Sequence, residues 1–137
     1  MFTLMLPCAG GSTRYPNMRP KWSLTHPNGR LMITQGISGI DFSNFDSICM
    51  AVLKTDLKKY KLRDAIYDSF KEFDLDFKLL ELDEPTTSQS ETVSLMIDKL
   101  NIEGNIFIKD CDDYFSVEGL EPDTVCVYSL QKLDEVI

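Results

Sequence analysis

Apolar and polar positions follow two rhythms along this chain, and the rhythm switches repeatedly. Positions 2–7 are almost continuously apolar and run into Cys8-Ala9-Gly10-Gly11, which predicts a buried strand entering a glycine loop. Positions 9–22 are loop by composition, with two glycines, two prolines and Asn17. Pro27-Asn28-Gly29 marks a turn between two short extended pieces, and 31–37 reads as a short helix closed by Gly36 or Gly39. Positions 45–53 have period two, with Ile48, Met50 and Val52 on one face and Cys49, Ala51 and Leu53 on the other. A helix over 57–73, N-capped by Asp56, spaces Leu57, Tyr60, Tyr67, Phe70 and Phe73 at three- and four-residue steps as core. A third strand is predicted over 75–82. Ser88-x-x-Glu91 forms a capping box that opens a second helix carrying Val93, Leu95, Met96, Ile97 and Leu100. Ile106-Phe107-Ile108 then reads as a strand, and 125–130 as a last one.

Strand–helix alternation at these lengths implies a parallel, doubly wound sheet: an α/β fold of three layers, α/β/α, with a mostly parallel Rossmann-like sheet. One domain over 1–137 accounts for the length, and 43% hydrophobic with 26% charged residues is enough to build a core. A formal net charge of −8 argues against a general nucleic-acid or anionic-membrane binder. There is no long apolar stretch and no signal-peptide pattern, so the expectation is a soluble, cytoplasmic protein. The four cysteines form no C-x-x-C pair. Cys8, Cys49 and Cys126 lie in or at the end of apolar runs and are expected as buried, reduced thiols.

Charge is unevenly spread. Positions 1–40 hold no Asp or Glu, yet they carry Arg14, Arg19, Lys21 and Arg30; the rest of the chain has a net charge of −12. A carboxylate-free segment in an acidic protein leaves room for a local anion site. Its centre is Pro7-Cys8-Ala9-Gly10-Gly11-Ser12-Thr13-Arg14-Tyr15, followed by Pro20-Lys21. Gly10 and Gly11 let backbone N–H groups approach phosphate oxygens, and Ser12 and Thr13 add hydroxyl donors. Arg14 offers a planar fork and Lys21 a compact charge. Neither the P-loop pattern nor a dinucleotide G-x-G-x-x-G is present.

The run 4–15, then Pro20-Lys21, then Asn28-Gly29-Arg30-Leu31-Met32-Ile33, resembles the opening of the sugar-phosphate nucleotidyltransferases of capsule and lipopolysaccharide precursor synthesis. Ser12 stands where that family's loop has its second glycine, and the spacer from Arg14 to Lys21 is short. Thr86-Thr87-Ser88-Gln89-Ser90-Glu91-Thr92-Val93 is similar to the family segment that holds base and ribose, with Ser88 in place of a glycine. The capping box already explains Ser88 and Glu91, which leaves Gln89 and Ser90 to reach a base edge. Ile106-Phe107-Ile108-Lys109-Asp110-Cys111-Asp112-Asp113-Tyr114 resembles the family strand that ends in its metal aspartate, so Asp112, with Asp110, would hold Mg²⁺.

The resemblance implies a nucleotide-diphospho-sugar transferase type of fold. It also implies transfer of a nucleoside monophosphate from a nucleoside triphosphate to a phosphorylated acceptor, with release of pyrophosphate. Ala9, Gly10, Gly11, Ser12 and Thr13 would form the nucleotide cradle, while Arg14 and Lys21 would neutralise charge during reaction. It covers the nucleotide half, with the acceptor-binding half of the family expected to be missing. Two other readings remain. Asp110-Cys111-Asp112 is also a D-x-D arrangement of the kind a GT-A glycosyltransferase uses, and a non-catalytic nucleotide-binding domain would keep the loop without turnover. A phosphatase of the D-x-D-x-[TV] type is disfavoured, because that motif should open the chain and Tyr114 replaces its Thr. His26, beside the turn, is expected at the surface, Trp22 in packing, and the Lys58-Lys59-Lys61-Arg63 cluster on a solvated helix face.

Overall fold

Each of the four apolar runs up to residue 108 becomes a strand, and all four strands are parallel. In a computed structural model, which describes residues 1–10, 18–111 and 113–126, the strands are β1 (Phe2–Cys8), β2 (Phe45–Leu53), β3 (Asp76–Leu82) and β4 (Asn105–Ile108). The helices are α1 (Met32–Ile37), α2 (Lys54–Tyr60), α3 (Arg63–Phe70) and α4 (Gln89–Leu100). The sheet order is β3-β2-β1-β4. Leu4 sits opposite Ile48 on one side and Phe107 on the other, so β1 is fully flanked.

The period-two reading of 45–53 separates the two sides of the sheet. Ile48, Met50 and Val52 join Leu4, Leu6, Ile33, Ile37, Ile66 and Phe70 in one cluster, roofed by α1, α2 and α3. Cys49, Ala51 and Leu53 join Met5 and Met96 in the other, under α4. The result is the expected three-layer α/β/α arrangement. Phe70 stacks on Phe77 at 4.2 Å between ring centroids, and Trp22 packs into the same cluster, as expected. Each fully buried aromatic or aliphatic side chain of this kind contributes about 1.5–3 kcal/mol over its exposed state.

The strand order matters for function. The chain steps outward from β1 to β2 to β3, then returns under α4 to place β4 on the free side of β1. Because parallel crossovers keep one hand, reversing direction puts α4 on the opposite face from the earlier helices. The reversal leaves a crevice between the carboxyl ends of β1 and β4, where open α/β sheets take ligands.

Several expectations need correction. The helix over 57–73 is two helices, broken at Lys61, whose φ of 53° is left-handed, and followed by a 3-10 turn over Lys71–Phe73. Asp56 therefore lies inside the first turn of α2 and not at its cap, and partial burial raises its pKa. Tyr67 is not core but 43% exposed. Gly36 lies within α1, which is capped at Ser38. Of the thiols, only Cys49 is buried and free, with its pKa pushed up to about 11, chiefly by burial. Cys126 is exposed, while Cys8 forms a disulfide with Cys111 across 103 positions. The strand predicted over 125–130 lies mostly outside the described residues, and Val125 and Cys126 are exposed and not in a strand. No helix among the described residues is long and apolar enough to cross a membrane.

Candidate functional site

Three distant sequence segments meet at the β1/β4 crevice. The end of β1 delivers Ala9, buried, and Gly10, exposed. Thr86 arrives from the end of β3: its N–H donates to the Ala9 carbonyl at 3.3 Å, and Thr86 forms a parallel bridge with Gly10. The third segment follows β4, where the Lys109 N–H donates to the Met5 carbonyl at 3.1 Å and extends the ladder by one residue. Cys111, two residues on, is covalently joined to Cys8, with the Cα atoms 6.5 Å apart.

The N-terminus of α4 closes this arrangement. Ser88 caps the helix as predicted, its hydroxyl accepting from the Glu91 N–H at 3.2 Å. The return half of the capping box differs: the Glu91 carboxylate accepts from the Thr87 N–H at 2.9 Å and from the Thr87 hydroxyl, one residue before the predicted partner. These bonds hold the Glu91 pKa below the ordinary glutamate value. Below the cap, Thr92 is buried and its hydroxyl meets that of Thr86 at 2.6 Å. A β-branched hydroxyl pair thus ties the helix start to the segment that touches Gly10.

Gln89 then links the second and third segments. Its amide N–H donates to Asp110 Oδ1 at 2.6 Å. A carboxylate only accepts, so this bond also fixes which end of the amide faces Asp110. Gln89 lines two adjoining hollows, one of about 260 Å³ with Pro7, Gly10, Thr86 and Ser88, the other of about 270 Å³ with Lys109, Asp110 and Asp113. Ser90 is exposed in the first turn of α4, and Lys21 is exposed at the start of a 3-10 turn over Lys21–Ser23. Gly11, Ser12, Thr13, Arg14 and Asp112 lie outside the described residues.

No cluster of three or more metal-ligating side chains is present among the described residues. Mg²⁺ bound to nucleotide phosphates needs only one or two carboxylates, with phosphates and water completing its shell. Asp110, an exposed hard-oxygen donor at the crevice, fits that requirement.

Other surface readings hold. His26 is exposed and its Nδ1 accepts from the Asn28 N–H within the turn. Lys58, Lys59, Lys61 and Arg63 are exposed, and Arg63 pairs with Glu81. One residue was passed over in sequence. Lys109 is buried, although it appears in the chain as one charge among several. The pleat held a signal, because Lys109 is two residues from Phe107 and so falls on the same inward face.

No protein-family model matches the sequence, and no curated protein does. Among solved structures, the chain is similar to a nucleoside-diphosphate-sugar pyrophosphorylase from Vibrio cholerae RC9, with a TM-score of 0.63 and 20% identity over 88% of this chain and 51% of that one. The chain spans about half the length of that protein. The shared fold is of the nucleotide-sugar transferase type, and at this identity the likeness establishes the fold.

Proposed function

We propose that this chain carries the nucleotide site of a nucleotidyltransferase that moves a nucleoside monophosphate from a nucleoside triphosphate to a phosphorylated acceptor, releasing pyrophosphate. The acceptor class is a sugar phosphate or similar compound, as in cytoplasmic synthesis of surface-polysaccharide precursors. One observation carries the reading. The Gly10 end of β1, the Gln89 end of α4 and Asp110 after β4 come from separate parts of the sequence and meet at the crevice where the strand order reverses.

In this reading an acceptor phosphate oxygen attacks the α-phosphorus, the new P–O bond forms, and the bond to pyrophosphate breaks. Such a displacement depends on positioning and charge neutralisation. Ala9, Gly10, Gly11, Ser12 and Thr13 cradle the phosphates, and Arg14 and Lys21 offset their charge. Gln89 and Ser90 face the base and ribose. Asp110 and Asp112 would hold Mg²⁺, which when bound screens the phosphate oxygens and orients them.

The test is calorimetric titration with CTP, UTP, dTTP, GTP and ATP, with and without Mg²⁺, followed by a pyrophosphate-release assay with sugar 1-phosphates. Selective, Mg²⁺-supported binding of one triphosphate is expected. Lys21→Ala should weaken that binding by about tenfold or more, the scale of a lost charge-assisted hydrogen bond, and Asp112→Asn should abolish the Mg²⁺ dependence. Binding of none of the five would overturn the reading. Binding of nucleoside diphosphates alone would favour glycosyl transfer through Asp110-Cys111-Asp112.

A further inference from the structure

The ammonium of Lys109 has a task that the nucleotide reading does not describe. The side chain is 1% exposed, and its three protons meet three oxygens: the Asp110 carbonyl at 2.9 Å, the Asp113 carbonyl at 2.6 Å and Asp113 Oδ1 at 2.9 Å. The Phe115 ring lies 4.8 Å from the nitrogen. With its donors saturated, this group has nothing to offer a substrate. It acts on its own chain by drawing the backbone at 110 and 113 onto a single buried charge.

The closed turn rests on α1 and the segment after it. A Cβ at Gly36 would lie 2.8 Å from the Asp113 carbonyl oxygen and 3.6 Å from Lys109 Nζ, and one at Gly39 would lie 2.6 Å from the Phe115 carbonyl oxygen. Any larger residue at either place pushes backbone, not a flexible side-chain tip. The Asp110 carboxylate, by contrast, stays exposed and bonded to Gln89. The buried cation therefore fixes the main chain from which an exposed carboxylate projects into the crevice.

We infer that Lys109 is the positioning residue for the Mg²⁺–nucleotide end of the site: it holds the turn that presents Asp110, with Gly36 as the seat of that turn. The inference rests on the Mg²⁺–nucleotide reading proposed above. It is tested by measuring the Mg²⁺ midpoint for nucleotide binding, the nucleotide affinity in EDTA, and backbone hydrogen exchange over 107–116 without ligand. The proteins compared are the unaltered chain, Lys109→Met and Gly36→Ala. Both variants should raise the Mg²⁺ midpoint about tenfold or more, the usual scale for a lost supporting contact, leave the EDTA affinity within about twofold, and speed exchange over the turn. Gly36→Ala keeps every charge and improves helix propensity, so it carries the test if Lys109→Met does not fold.

An unchanged Mg²⁺ midpoint in a folded variant overturns the inference, whatever the exchange shows. Equal losses with and without Mg²⁺ overturn it too, since they mark general loosening. If the unaltered chain binds no nucleotide under any condition, the underlying reading fails and takes the inference with it.

Discussion

The turn after β4 and the start of α4 face each other across one crevice, yet they are held in place by opposite means. The turn is fixed from the inside, by a buried ammonium, a disulfide to Cys8, and backbone packed on Gly36 and Gly39. The helix start is fixed mainly from the outside, by the Ser88 cap and the Thr87–Glu91 bonds at exposed residues, with the Thr86–Thr92 hydroxyl pair as a partly buried tie. Buried electrostatic contacts cost desolvation and become expensive when one partner is lost, whereas exposed caps are individually modest. The crevice thus has one wall held mainly by buried contacts and one held mainly by exposed ones. Gln89, on the second wall, reaches the first through a single hydrogen bond to Asp110.

The contrast can be broken in order of size. Reducing the Cys8–Cys111 bond should lower stability by about 2–4 kcal/mol, because it frees a long covalent loop in the unfolded chain. Urea unfolding with and without reductant measures this. Equal midpoints would mean that the turn owes nothing to the disulfide. Gly39→Ala should cost about 1–3 kcal/mol in the same assay, since the added Cβ meets the Phe115 carbonyl oxygen at 2.6 Å and the Tyr114 hydroxyl oxygen at 2.9 Å. No change there would show that the turn yields as readily as the opposite wall.

Ser88→Ala should cost about 1 kcal/mol, confined to α4 and visible as faster amide exchange in its first turn. Acid sharpens the same point. The folded state holds the Glu91 pKa below the ordinary glutamate value, mainly through the Thr87 hydroxyl and then the Thr87 N–H. Its contribution is therefore complete above that ordinary value and lost as pH falls through the lower folded one. Exchange at the start of α4 should rise over that range, and Glu91→Gln should remove the pH dependence.

The parts of the molecule legible in the sequence are those governed by local pattern. From Ile48 to Leu53 the strand is buried on both faces and alternates between them, so both faces could be read directly; Phe45, beyond a register shift, shares the Ile48 face out of step. The Ser88 cap was legible for the same reason, being a contact within one turn. The break between α2 and α3 was not, because Lys61 adopts a left-handed conformation with no glycine, asparagine or proline to announce it. The disulfide depends on β4 returning beside β1, which no local pattern records. Lys109 was hidden by the general tendency of lysine to be exposed, which outweighed its place one pleat beyond Phe107. Of the candidate site, Gly10, Gln89 and Asp110 were picked out by motif, but their meeting could be known only from strand order.

The bond between Cys8 and Cys111 also makes the chain from one to the other a covalent ring that contains, among the described residues, every helix and most of the sheet. Opening the backbone once inside that ring, at the exposed Lys58–Lys59 peptide for example, leaves a single molecule whose two new ends are still joined through sulfur. A trypsin nick there would be silent on a non-reducing gel and would separate two fragments under reduction. The split halves are thereby kept together for refolding, and new termini can be introduced at the α2–α3 break while the crevice between β1 and β4 stays closed by its own covalent link.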